Sequence, residues 1–425
     1  MIDTTTLACR NIESAQKLCK GTDNARPIAL DVQDEAALDL EVGKVDVAVS
    51  LIPYIHHPLV IKSAIRKKVH VVTTSYISPA ILELEAQIKE AGITVLNEIG
   101  LDPGIDHLYA VKTIEETHKS GGKVKSFLSY CGGLPAPEAS DNPLGYKFSW
   151  SARGMLLALG NSAKFLEEGK VKEIEAKDLM ASAKRYTTGY LGYSFVAYPN
   201  RDSTPFREKY DIPEAHTVIR GTLRYDGFPQ LIRVLVKTGF LSQEVKDFLK
   251  PSDKPLQWRE ATAKILSATS TAEHDVIWAI SSKTSFQDTA EKNEILAGLR
   301  WIGLFSSDPI KPRSTPLDTL CATLEEKMAY EEKERDFVFL QHRFELEHAD
   351  GSKETRTSTL CQYGDPAGYS AMAHLVGTPC GVAVLSVLEG RLPGGLLAPY
   401  SETICLPLRK QLKEFGIEMI EKTVA

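Results

Sequence analysis

Val45–Leu51 (VDVAVSL) is a short apolar run that ends at Ile52-Pro53. It reads as a parallel strand buried on both faces. Outward from it the same punctuation repeats. His57-Pro58 opens a helix with Ile61, Ala64 and Ile65 on one face, and His70–Thr73 (HVVT) is the next strand. Ser78-Pro79 pairs an N-cap with proline at the first helical position. Ile81, Leu84 and Ile88 form that helix's stripe, Gly92 closes it, and Ile93–Asn97 is another strand. Upstream, Thr5–Cys9 reads as a strand, Ile12–Lys20 as a helix ending at Gly21, and Pro27–Leu30 as a strand ending in Asp31. Strands alternating with helices in this way predict an α/β fold with a parallel, doubly wound sheet.

Sheets of this kind bind ligands beyond the carboxyl ends of their strands. Those ends read Cys9-Arg10, Leu30-Asp31-Val32, Ser50-Leu51-Ile52-Pro53, Thr74-Ser75-Tyr76, and Glu98 through Leu101-Asp102-Pro103-Gly104. They combine small polar residues, glycine and one arginine, as a nucleotide crevice needs. An acid at the end of the second strand of a dinucleotide fold binds a ribose 2′-hydroxyl; an arginine there suits a 2′-phosphate, hence NADP. Arg10 is equally a residue type that solvent accommodates at any strand end. No G-x-G-x-x-G turn precedes Arg10, and Gly21 is the first glycine. The expected architecture is therefore Rossmann-like with its first central strand missing.

Beyond residue 110 the pattern changes. Val124–Tyr130 is a strand running into Cys131-Gly132-Gly133, followed by a Pro/Asn/Gly-rich stretch up to Trp150-Ser151-Ala152-Arg153-Gly154. Long ordered loops of this type usually carry function. Val196–Ser203 and Val218–Tyr225 place Arg201, Arg220 and Arg224 near strand ends, residues 228–335 read helical, and Asp336–Glu347 with Glu354–Leu360 form a hairpin through Asp350-Gly351. The expected division is a dinucleotide domain over 1–107, an α+β substrate and dimerisation domain over 108–227 and 336–368, a helical subdomain over 228–335, and a segment over 369–425 that returns to the first domain. Fifty basic and fifty-six acidic side chains give −6 without charge blocks, which argues against a nucleic-acid partner. Seven cysteines without C-x-x-C spacing argue against structural zinc and fit a reducing, cytoplasmic setting; no metal is expected. Ser370–Leu388 carries no formal charge over nineteen residues, but His374 and a Gly-Thr-Pro break favour a buried helix pair on a sheet over a membrane span.

The strings Ala8-Cys9-Arg10, Ser50-Leu51-Ile52-Pro53, Thr73-Thr74-Ser75-Tyr76, Asn97 through His107 (NEIGLDPGIDH), Ser129 through Pro135 (SYCGGLP), Tyr198 through Ser203 (YPNRDS) and Arg220 through Tyr225 (RGTLRY) closely resemble the saccharopine reductases. These are the NADP-dependent, L-glutamate-forming saccharopine dehydrogenases of fungal-type lysine biosynthesis. The resemblance runs from about Thr6 to near the C-terminus, through Gly368-Tyr369-Ser370-Ala371-Met372. The family's opening strand and glycine loop have no counterpart here.

The resemblance implies NADPH reduction of the imine between α-aminoadipate semialdehyde and glutamate, with a homodimer as the expected assembly. It implies cofactor contacts from Cys9, Arg10, Leu30, Asp31, Ser50, Leu51, Ile52, Thr74, Ser75, Leu101, Asp102 and Pro103. Saccharopine carries three carboxylates and two amino groups, so its site needs cationic and hydroxyl donors in fixed forks. Ser75, Tyr76, Asp102, Trp150, Arg201, Thr222, Leu223 and Arg224 are the candidates. Asp102 is assigned to stabilising the cationic nitrogen, or else caps the turn before Pro103. Tyr76 donates to substrate or packs half-buried; Cys131 neighbours the site or is an inert thiol. His56-His57 reads as a helix entry, since adjacent helical residues point apart. Two alternatives remain at this level: a cofactor-deficient relative that is inert or binds a partner, and a reductase of another amino-acid or polyamine imine.

Overall fold

The computed structural model describes residues 4–424. The chain forms two compact units: one runs to Lys112 and is rejoined by Leu375–Glu418, the other is Thr113–His374 with the segment from Met419.

In the first unit the order is β1 (Thr5–Cys9), α1 (Ile12–Cys19), β2 (Ala25–Ala29), α2 (Glu35–Val42), β3 (Val47–Ser50), α3 (His57–Lys67), β4 (His70–Thr73), α4 (Pro79–Leu82), α5 (Glu85–Ala91) and β5 (Thr94–Leu96). β1 and β2 pair in parallel as one small sheet, and β3, β4 and β5 pair in parallel in another. No ladder joins β1 to β3 among the described residues, so the platform divides where the sequence leaves room for a central strand. The core comes from the apolar stripes: Ile61, Ala64, Val71, Ile81, Ile88 and Val95 are fully buried. Each large aliphatic among them contributes about 1.5–3 kcal/mol.

Helix α2 is not anticipated above. Asp34 caps it by accepting from Ala37 N, and its Asp39 carboxylate takes a bidentate pair from Arg66 of α3 (2.9 and 2.7 Å) and a 2.6 Å bond from Ser63. Ser78 occupies the N-cap of α4 without a side-chain bond, and the stripe expected of one helix spans two short ones, α4 and α5.

α6 (Ile105–Lys119) leads into the second unit. Its sheet comprises β6 (Lys123–Pro135), β7 (Ala163–Glu167), β8 (Lys170–Ile174), β9 (Lys184–Tyr186), β10 (Phe195–Pro199), β11 (Thr217–Tyr225), β12 (Asp336–Glu347), β13 (Lys353–Tyr363) and, from the end of the chain, a strand over Ile420–Thr423. The terminal strand pairs β13, and the order continues β12, β6, β11, β10, β9, with β7 on β11 and β8 on β7. Only the β6–β11 pair within the central stretch is parallel. One face, through Phe195, Leu223, Phe337 and Phe339, meets the helices between residues 228 and 328 in a continuous core.

Ala371–Leu388 is one helix of eighteen residues with Pro379 inside it, not the helix pair expected. A proline removes one i−4 bond, and a flanking apolar helix with packed sides can continue past it. It is the one described helix long and apolar enough to cross a membrane, and half of it is buried in the protein. Gly395–Leu397 then forms β14, which pairs with β5 and returns the chain to the first unit.

Candidate active site

The strand tips of the first unit carry two groups of polar side chains. At β1 and β2, Leu30 N donates to Cys9 O at 2.9 Å, which sets Cys9, Arg10, Leu30 and Asp31 side by side. Arg10 and Asp31 are exposed, and Asp31 Oδ1 accepts from Gln33 N. At β3 and β4, the buried His57 ring joins the tips: Nδ1 lies 2.7 Å from Ser50 Oγ, and Nε2 lies 2.9 Å from Ser75 Oγ and 3.2 Å from Thr73 Oγ1. Burial, with a smaller push from His56, lowers the imidazole pKa to about 4. Leu51, Tyr54 and Ile55 beside this cluster are each about two-thirds exposed, an apolar rim next to hydroxyl donors.

The segment after β5 folds as a compact turn. Gly100 N donates to Pro103 O at 2.8 Å, and Ile105 N donates back to Gly100 O at 2.8 Å. Gly104 has φ +149°, and a Cβ there would lie 2.0 Å from Gly100 O, so only glycine fits. Its N–H donates to Asp106 Oδ1 at 2.6 Å, placing that acid at the N-terminus of α6. The turn presents the half-buried Asp102, whose Oδ1 accepts from Tyr76 Oη at 2.7 Å. Leu101 and Pro103 are buried on either side of it.

Beneath the turn lies a buried carboxylate. Glu98 has no exposed surface and sits at φ 61°, a left-handed backbone rare for glutamate. Its Oε2 accepts from Tyr400 Oη at 2.6 Å and faces His107 Nε2 at 2.9 Å, while Oε1 accepts from Ile77 N at 3.1 Å. Buried charge is tolerated only when so paired. The arrangement ties the residues after Tyr76, the start of α6 and the return segment to one acid.

In the second unit, Thr222 and Arg224 share one face of β11, with Tyr198 of β10 opposite Thr222 and Cys131 of β6 in register with it. Gly221 lets the strands close up, since a Cβ there would lie 2.2 Å from Tyr198 O. Asn200 Nδ2 donates to Thr222 Oγ1 at 2.8 Å, and Arg201 Nε donates to Asn200 Oδ1 at 3.1 Å. Arg224 is buried, with its guanidinium 4.8 Å over the Tyr146 ring and 5.2 Å over Phe228. Its Nη1 donates to Leu223 O, while its Nε has no hydrogen-bond partner among the described residues. A buried charged donor in that state gains most from an anionic ligand. Leu223, between Thr222 and Arg224 on the strand, is fully buried in the hydrophobic core. Trp150 is close to half exposed, beside the first turn of the helix that starts at Ala152. Burial raises the Tyr198 phenol, against the opposing pull of Arg224.

Two family models span nearly all of this: residues 2–96 match the saccharopine dehydrogenase NADP binding domain and residues 100–417 the saccharopine dehydrogenase C-terminal domain. The chain is 61% identical over 425 residues to the saccharopine dehydrogenase [NADP(+), L-glutamate-forming] of Pyricularia oryzae, covering 99% of this chain and 94% of that protein. The chain belongs to the saccharopine dehydrogenase family. The like-named protein of Schizosaccharomyces pombe is 56% identical over 420 residues, with 99% and 93% covered. The apo histidine-tagged saccharopine dehydrogenase (L-Glu forming) of Saccharomyces cerevisiae has a similar structure, with a TM-score of 0.89, 57% identity, and 99% and 94% of the two chains covered.

In this saccharopine dehydrogenase family member the donor set suits NADP at its adenosine and nicotinamide ends. An exposed arginine at the β1 tip answers a 2′-phosphate, and hydroxyls beside exposed apolar groups answer a ribose and a flat ring. Sequence reasoning places Ser50, Thr74, Ser75, Tyr76 and Asp102 in one unit and Cys131, Trp150, Arg201, Thr222 and Arg224 in the other. It passes over three residues that hold them: His57, read as a helix entry, Glu98, and Asn200. Glu98 is read among the strand-end residues and inside the NEIGLDPGIDH block, without a role of its own.

Proposed function

We propose that the chain catalyses NADPH-dependent reduction of the imine between α-aminoadipate semialdehyde and L-glutamate, giving saccharopine, and the reverse oxidation, in lysine biosynthesis. The observation that carries the reading is Asp102, held by Tyr76 on the turn that follows the parallel platform, within a chain so close to named L-glutamate-forming enzymes. NADPH, when bound, supplies the hydride. Arg10, Asp31, Cys9 and Leu30 would hold the phosphorylated ribose, and Ser50, Leu51, Ile52, Thr74, Ser75, Leu101 and Pro103 the remainder.

The chain's own part is position and field. Asp102 stabilises the protonated imine nitrogen as the carbon is reduced, and the nitrogen keeps its proton in the product amine. Tyr76 fixes the plane of that carboxylate. Arg201 and Arg224 bind substrate carboxylates, Thr222 and the Leu223 backbone line the same region, and Trp150 walls it. Cys131 lies in register with Thr222 on the same sheet face as a small neighbour. The scattered cysteines without C-x-x-C spacing support a cytoplasmic enzyme, and the resemblance supports a homodimer. Sedimentation at micromolar concentration tests the assembly. The activity is tested by incubating the chain with NADPH, the semialdehyde and glutamate. Saccharopine identified by mass, with loss of nicotinamide absorbance, is the expected result; consumption with a different amine acceptor and none with glutamate would refute it.

A further inference from the structure

We infer that His57 is a positioning residue that decides which serine hydroxyl at the strand tips donates to a bound anionic oxygen: its ring accepts from Ser50 and donates to Ser75 and Thr73. This rests on the reading of the β3–β4 tips as part of the NADPH-dependent site. A neutral imidazole has one donor and one acceptor nitrogen, so the two serines cannot play the same part. Ser50 Oγ lies 2.7 Å from Nδ1, a distance at which the hydroxyl can donate to the ring nitrogen. Ser75 Oγ at 2.9 Å and Thr73 Oγ1 at 3.2 Å from Nε2 fit one N–H shared between two oxygens, whereas one nitrogen lone pair would serve only one of those hydroxyls.

The consequence is directional. Ser50, 3% exposed, spends its hydrogen on the ring and has only lone pairs left. Ser75 receives the ring's N–H, so its own hydrogen points away from the ring, and Ser75 is the more exposed of the two. A hydroxyl set this way is a donor for a phosphate or carboxylate oxygen, and a poor acceptor. His57 contributes no charge of its own, because burial keeps the ring neutral across the physiological range. It lies at the start of α3, with its Pro58 neighbour at the first helical positions, so the ring is held by helix and strand tips together.

Two measurements test this. In wild-type protein labelled with ¹⁵N-histidine, the His57 imidazole, assigned by loss of its signal in His57→Gln, should be neutral and protonated at Nε2 from pH 6 to 9. A signal for Nδ1–H or for imidazolium overturns the proposal. NADPH and saccharopine affinities are then measured for wild type, His57→Ala, Ser75→Ala and the double variant. Each single change should weaken one ligand about 10-fold. Removing Ser75 in the His57→Ala background should cost under about 3-fold, because the hydroxyl has already lost its direction. A change in the NADPH constant assigns the anionic oxygen to the cofactor, and a change in saccharopine alone assigns it to substrate. Fully additive losses, or no loss in either ligand, overturn the proposal while leaving wild-type binding, and hence the functional reading, intact. Absence of NADPH binding by wild type overturns both.

Discussion

Tyr76 Oη donates to Asp102 Oδ1 at 2.7 Å, across a gap of twenty-six residues between the tip of β4 and the turn after β5. A carboxylate that holds a cationic nitrogen must keep its plane fixed while charge changes beside it. Tyr76→Phe removes the hydroxyl alone and should lower kcat about 10-fold. Asp102→Asn removes the charge and should lower kcat by about 10²–10³. The double variant should be little worse than Asp102→Asn, because Tyr76 acts through the acid; steady-state saccharopine oxidation checks this.

Arg224 is a buried cation whose Nε lacks a partner among the described residues, stacked on Tyr146 and Phe228. Arg224→Met keeps much of its packing and removes the charge. KM for saccharopine should rise about 10- to 100-fold, with the NADPH constant unchanged. The melting temperature should hold or rise, since an unsatisfied buried charge is lost. A fall in melting temperature with unchanged KM would assign Arg224 to folding instead.

Two glycines with positive φ should respond differently to alanine. At Gly104 the new Cβ would lie 2.0 Å from Gly100 O, so Gly104→Ala should cost about 3 kcal/mol or more. At Gly92, φ +70°, nothing lies within 4 Å, so Gly92→Ala should cost about 1 kcal/mol. Denaturant unfolding of both variants measures the difference.

His57 makes stability depend on pH with a definite sign. Its folded-state pKa is lowered from 6.5 to about 4, chiefly by burial. As pH falls through 6.5 the unfolded chain takes up a proton that the folded chain refuses, so stability declines between about pH 6.5 and 4. The loss is on the order of 3 kcal/mol. His57→Gln should flatten that part of the profile, seen in unfolding midpoints taken every half pH unit.

Much of this is legible in the residues themselves. The run Val45–Leu51, the His70–Thr73 strand and the Asp336–Glu347 strand need only periodicity and punctuation, and the NEIGLDPGIDH block carries Asp102 with it. α2 escapes because its apolar residues do not form one stripe: Leu38 and Val42 are buried while Leu40 is exposed. The helix Ala371–Leu388 reads as two because proline and glycine are local signals, while its continuity is decided by packing. The holders of the site are invisible for another reason. Glu98 meets Tyr400, 302 positions away, and His57 meets Ser50 at one strand tip and Thr73 and Ser75 at the next; no spacing rule encodes such meetings. The division of the first unit's strands into two ladders, by contrast, falls where the sequence lacks the first central strand.

Arg10, exposed at the β1 tip, is the residue proposed to hold the 2′-phosphate of the cofactor. Arg10→Asp should weaken NADPH relative to NADH by about 10-fold or more. Competition of the two nucleotides against a common product inhibitor reads the ratio, and an unchanged ratio removes Arg10 from the 2′-phosphate.

The central claim is that these strand tips receive a phosphorylated nicotinamide dinucleotide. Titration of the purified chain with NADPH, followed by nicotinamide fluorescence, tests it most directly. A saturable change at micromolar concentration, about 10-fold or more weaker for NADH, is the result the account requires. A signal that stays linear up to about millimolar NADPH would contradict it.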